Sequence, residues 1–104
     1  MTENNRMALT LILHDLSGLG PEDEKRFFES IFQIAPEHWR LADGATLAAT
    51  GVSPGYLRDH LLRALPGETR GGVQLLVTRT SPDLAWQALP AEGEAWLREM
   101  LEEG

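Results

Sequence analysis

A chain of 104 residues without a single cysteine has room for one domain, and it excludes a disulfide framework, a thiolate zinc site and a cysteine nucleophile. Sixteen acidic against nine basic residues give a net charge of -7, which disfavours nucleic acid and anionic lipid as loosely held partners. Hydrophobic residues at 42% and charged residues at 24% are globular proportions, and no apolar run approaches the ~20 residues that span a bilayer, so a cytoplasmic protein without a membrane segment is expected.

Residues 1–6 read as a flexible leader to a single domain over 7–104. The stretch "RMALTLIL" sets Met7, Leu9, Leu11 and Leu13 on one side of a strand and Ala8, Thr10 and Ile12 on the other, a pattern suited to the middle of a sheet. After Gly18 and Gly20, Pro21 opens a helix whose first turn holds Glu22, Asp23 and Glu24, where the helix dipole favours negative charge. Phe27, Phe28, Ile31, Phe32 and Ala35 recur at helical spacing, and Pro36 stops the helix. Asp43-Gly44 between two short alternating runs predicts a hairpin with strands over 38–42 and 45–50.

Ser53-Pro54 repeats the helix-start grammar, with Leu57, Leu61, Leu62 and Leu65 on one face until Pro66-Gly67. The loop "GETRGG" leads to "VQLLVTRT", read as a buried strand with Val73, Leu75 and Val77 on one face and Leu76 on the other. A turn at Ser81-Pro82-Asp83 precedes "LAWQAL", which suits a short strand or a helical turn. "EGEAWLREMLEE" then forms a final helix with Trp96, Leu97, Met100 and Leu101 in one stripe.

Strand, helix, hairpin, helix, strand and an extra helix make an α+β chain, the ferredoxin-like βαββαβ sandwich with an added C-terminal helix. Right-handed crossovers would set the first and fourth strands side by side in the middle, with both main helices on one face. Leu9, Leu11 and Leu13 are expected to meet those helices. Ala8, Thr10, Ile12 and His14 would line the other face, which is too apolar to lie bare and needs the C-terminal segment, a second copy, or both.

His14 and Asp15 stand side by side at the end of the first strand. Successive residues of a strand point to opposite faces, so the two cannot readily grip one ion, and His14 suits a sheet face or an interface. His38 and His60 lack HxxxH or HExxH spacing and suit a strand end and a solvated helix face, and Ser17 lies in no G-x-S-x-G elbow. The glycines form no P-loop. Arg58, Arg63, Arg70 and Arg79 could make a basic strip for phosphate, although scattered arginines on solvated faces are commoner. Trp39, Trp86 and Trp96 fall in apolar patterns that suit burial in the core or at an interface rather than base stacking.

The strand ending "LILHDL", the helix "EDEKRFFESI", the hairpin, the helix "VSPGYLRDHL" and the strand "VQLLVTRT" resemble the small dimeric ferredoxin-like proteins of CRISPR adaptation. Their SinR-like offshoot is resembled further through Trp39, Val52-Ser53, Ala85-Trp86 and Trp96-Leu97. The resemblance covers about residues 7–101. It implies a homodimeric scaffold in a prokaryotic nucleic-acid-handling or antiviral defence setting. It also implies a metal-dependent nuclease in which Asp15, as catalytic and metal-binding residue, meets its copy near a two-fold axis and holds Mg²⁺ or Mn²⁺. The chain departs from the family in carrying His14 where a tyrosine is usual, and in its acidic balance.

Hard oxygen ligands suit such an ion, which would neutralise phosphate charge and lower the pKa of a bound water. On its own residues Asp15 serves equally as the cap of the loop "DLSG", and both roles are expected to leave the carboxylate partly buried. A third function, an interaction module without nucleic-acid activity, would set Glu22, Asp23, Glu24 and Glu29, or the tail Glu99, Glu102 and Glu103, against a basic protein partner.

Overall fold

Strand β1 (Ala8–Asp15), helix α1 (Pro21–Ile34), the hairpin β2 (His38–Ala42) and β3 (Ala45–Thr50), helix α2 (Pro54–Arg63), the single turn α3 (Gly67–Arg70), strand β4 (Gln74–Arg79) and helix α4 (Ala91–Glu103) follow in chain order. The structure, a computed structural model, describes residues 8–81 and 83–103. The leader expected over 1–6, Met7, Pro82 and the side chain of Glu103 lie outside the described residues.

The strands form one antiparallel sheet in the order β2-β3-β1-β4, which is the ferredoxin-like arrangement with an added C-terminal helix. β1 and β4 are neighbours as expected, but β4 is an edge and β3 shares the centre with β1. The crossover through α1 skips one strand position, and the hairpin then folds β3 back into that gap. β4 is therefore half exposed rather than a buried strand, with Leu76 54% exposed.

The two sheet faces are the reverse of the expectation. Ile12 and Ala48 pack against Phe27, Ile31, Leu57 and Leu61 of the main helices, while Leu9, Leu47 and Ala49 pack against Leu97 of α4. Alternation cannot choose between faces when both are apolar. Packing does: the buried Thr46, Ala48 and Thr50 of β3 leave space for the Phe27 ring on one face. The C-terminal layer takes the leucines, with Leu84, Trp86, Leu89, Trp96, Met100 and Leu101 completing it. The apolar face is thus covered by the C-terminal segment, and the three tryptophans are partly buried. "LAWQAL" forms neither strand nor helical turn but an irregular crossing, in which Ala88 takes a left-handed φ of 63°.

Local signals explain the helix starts. Ser53 Oγ accepts the Tyr56 N–H at 3.1 Å and Pro54 needs no donor partner at N1. Ser53→Ala is expected to cost about 1 kcal/mol, read as a lower urea midpoint with unchanged slope. α1 starts at Gly20 with no side-chain cap, and its first turn relies on Pro21 and three acidic residues. Of its expected apolar stripe, Phe27, Ile31 and Ala35 are buried, whereas Phe32 lies exposed with its ring edge-on to His38 at 6.2 Å.

Candidate functional site

β1 ends at the loop that begins with Leu16, and its last two side chains divide between the faces. Asp15 is exposed, contrary to the expectation of a partly buried carboxylate. Its Oδ1 accepts the Ser17 N–H at 3.0 Å, and the Leu19 N–H reaches Leu16 O at 2.9 Å to close the turn. The backbone N–H and hydroxyl of Ser17 hold the carboxyl below its ordinary pKa. Asp15 is therefore a loop cap in this chain.

His14 points inward and is only 5% exposed. Its ring stands edge-on to Phe27 and Phe28 at 5.5 and 5.4 Å, and Nε2 shares a hydrogen bond with the Thr46 hydroxyl at 3.1 Å. The His14 N–H donates to Gly44 O at 2.9 Å. Nδ1 is buried without a partner, and so is the Thr10 hydroxyl on the same face. Burial first, and the Arg40 guanidinium second, push the imidazole pKa down against the opposing pull of Glu24. Arg40 itself lies over the Phe28 ring at 4.5 Å and donates to Asp43 O at 3.1 Å.

A cleft of about 360 Å³ opens at this end of the sheet, lined by Leu13, His14, Asp15, Gly44, Gln74, Leu75 and Leu76. Asp15 is the only carboxylate in its lining, and among the described residues no three His, Asp or Glu side chains gather as a metal site. One chain thus supplies a single carboxylate here, and a second would have to come from another copy. Asp15 shares its strand parity with Leu13, on the face opposite the His14 ring.

The other candidates are dispersed. His60 is half-buried rather than solvated, and its Nε2–H donates to Ser30 O at 3.1 Å, tying α2 to α1. His38 Nδ1–H donates to Ala35 O at 2.7 Å at the start of β2. Arg58 pairs with Asp59 at 2.9 Å, Arg70 donates to Leu65 O at 3.0 Å, and Arg79 donates to Gly51 O and Val52 O at 3.3 and 3.1 Å. Arg63 lines a separate cleft between α1 and α2. Glu22 and Asp23 both reach Arg26, at 3.7 and 2.7 Å, in exposed pairs that contribute little.

Two features escaped the sequence. Trp86 Nε1–H donates to Glu94 at 3.3 Å and Arg98 binds the same carboxylate oxygen at 2.9 Å, which holds Glu94 below the usual carboxyl range. The i,i+4 spacing of Glu94 and Arg98 was a visible signal, but the Trp86 contact depends on the path of the crossing segment. The second is a bare strip: Leu13 and Leu76, opposite one another across β1 and β4, are 41% and 54% exposed. No helix of the described residues is long and apolar enough to cross a membrane. No family model, curated protein or solved structure matches the chain.

Proposed function

We propose that the chain works as a homodimeric scaffold akin to the CRISPR-adaptation and SinR-like group, in a prokaryotic nucleic-acid-handling or defence setting. The observation that carries this reading is the bare Leu13–Leu76 strip on a sheet whose other apolar surface is covered. Apolar area left at the end of a packed layer favours a partner surface over water. The setting rests on the resemblance of elements and motifs.

Metal-dependent phosphodiester cleavage is the second reading. Its support is that Asp15 shares a face with Leu13, so two copies stacked face to face over this strip would bring their Asp15 carboxylates toward one another. Mg²⁺ or Mn²⁺ held there would supply charge neutralisation and a more acidic water. The chain's own share is one exposed carboxylate, already oriented by Ser17.

One experiment separates the two. Purified protein and Asp15→Asn are incubated with single- and double-stranded DNA and RNA and Mn²⁺, with mass in solution recorded for both. Two dimers without cleavage are expected. Cleavage by the unsubstituted dimer alone would overturn the scaffold reading in favour of the nuclease, and a monomer at every concentration would remove both.

A further inference from the structure

We infer that two copies join edge to edge through β4, in antiparallel register centred on Val77, to form one continuous eight-stranded sheet; this rests on the homodimer proposed above and specifies its geometry. The two sheet edges of the monomer differ. β2 is irregular, with a register shift between Arg40 and Ala42, and α4 crosses it at Trp39. Both features blunt an edge. β4 has neither, and Gln74–Arg79 contains no proline and no lysine.

The outward groups follow from the pairing with β1. Thr80 N–H donates to Leu9 O at 2.9 Å, and the register runs unbroken from Thr10↔Arg79 to Asp15↔Gln74. Antiparallel hydrogen bonding alternates along a strand, so Gln74, Leu76 and Thr78 turn their backbone groups to β1 while Leu75, Val77 and Arg79 turn theirs outward. The outward set is symmetric about Val77. A two-fold axis there sets Val77 against the partner's Val77, Leu75 against the partner's Arg79, and Leu76 against the partner's Thr78. Each outward N–H and C=O then finds a mate.

Charge selects a second copy as the occupant. The chain carries -7 overall, yet residues 69–82 contain no aspartate or glutamate, only Arg70 and Arg79. This is where two acidic molecules can approach with least repulsion, and the register opposes no like charges. Arg79 is already held by Gly51 O and Val52 O of its own chain. The two exposed Leu76 side chains fall diagonally across the axis on one face, each beside its own Leu13, so the same docking shields the outward flank of Leu76.

The chain's lack of cysteine gives a direct test. Leu76→Cys and Thr78→Cys occupy exposed positions, and in this register residue 76 of one copy faces residue 78 of the other at a spacing that a disulfide bridges. Under mild oxidation an equal mixture is expected to give a covalent heterodimer that neither variant gives alone. Leu76→Cys mixed with Tyr56→Cys on exposed α2 is expected to give none. Leu76→Lys, checked for folding by circular dichroism, is expected to shift the light-scattering mass from dimer to monomer. A persistent dimer in which the 76/78 mixture links no better than the control would overturn the edge geometry and leave the scaffold standing. A wild-type monomer throughout would overturn both.

Discussion

Gly93→Ala is expected to destabilise the fold by about 2 kcal/mol even though alanine is the better helix former. Gly93 is buried where the first turn of α4 crosses β2, and a Cβ there would lie 2.7 Å from Cε2 and 3.1 Å from Cζ2 of Trp39. Heavy atoms do not stay that close. The indole cannot swing aside freely, because Trp39 sits opposite Leu47 in the hairpin ladder and against Gly93 of the helix. Instead α4 must ride outward, which loosens Leu97 from Leu9, Leu47 and Ala49. Helix propensity returns about 1 kcal/mol, less than the expected packing loss of about 3 kcal/mol. Urea unfolding followed by tryptophan fluorescence measures the difference. In a Trp39→Leu background the same substitution is expected to become neutral or stabilising, because the obstructing ring is gone, and that coupling identifies the contact. A rise in stability in the unaltered background would show that α4 does not depend on this crossing.

That crossing also marks the boundary of what the sequence discloses. Features set within a few residues were legible: the hairpin at 38–42 and 45–50, the Ser53 cap, the Pro21 start and the apolar stripe of α4 all stand where spacing and turn chemistry put them. Even there the physical reason can differ. Neither Asp43 nor Gly44 has a positive φ, and what asks for glycine is close approach: a Cβ on Gly44 would stand 3.0 Å from His14 O. Features set by distant residues were not legible. Both faces of β1 are apolar, so which one meets the helices depends on packing against distant residues, Phe27 on one side and Leu97 on the other. The edge position of β4 depends on where the hairpin inserts, and the His60 contact spans thirty residues to Ser30. At the site, the strand end and the opposed directions of His14 and Asp15 followed from strand geometry, while the exposure of Asp15 is a property of the loop beyond it.

Stability is expected to be lower at about pH 5 than at about pH 7.5, with the buried His14 contributing to the loss. The sign follows from the burial of the ring. The native imidazole is held below its ordinary pKa, so between the unfolded value of about 6.5 and the lower native value the unfolded chain binds more protons. Acid therefore favours unfolding through that window, and the loss levels off once the native ring also protonates. Around the ring, α1 contributes Phe27, Phe28 and Glu24, β2 contributes Arg40, and β3 contributes Thr46, with Nδ1 left unpartnered. Glu24 offsets the cost of a proton only in part, since burial and Arg40 outweigh it. Asp15 and Glu94, held below the usual carboxyl range, are distinct: what they contribute is lost only as pH falls through and below about 4. His14→Phe is expected to remove the difference between the two pH values while keeping the apolar contacts of the ring. Phe27→Ala separates burial from mere proximity. It costs about 3–5 kcal/mol at neutral pH because a fully buried ring is deleted, yet the opened space lets water reach the imidazole, so the loss on acidification shrinks. If instead wild type and His14→Phe lose stability in parallel, protonation of His14 does not oppose folding, and burial of the ring against Phe27 and Phe28 does not set its titration.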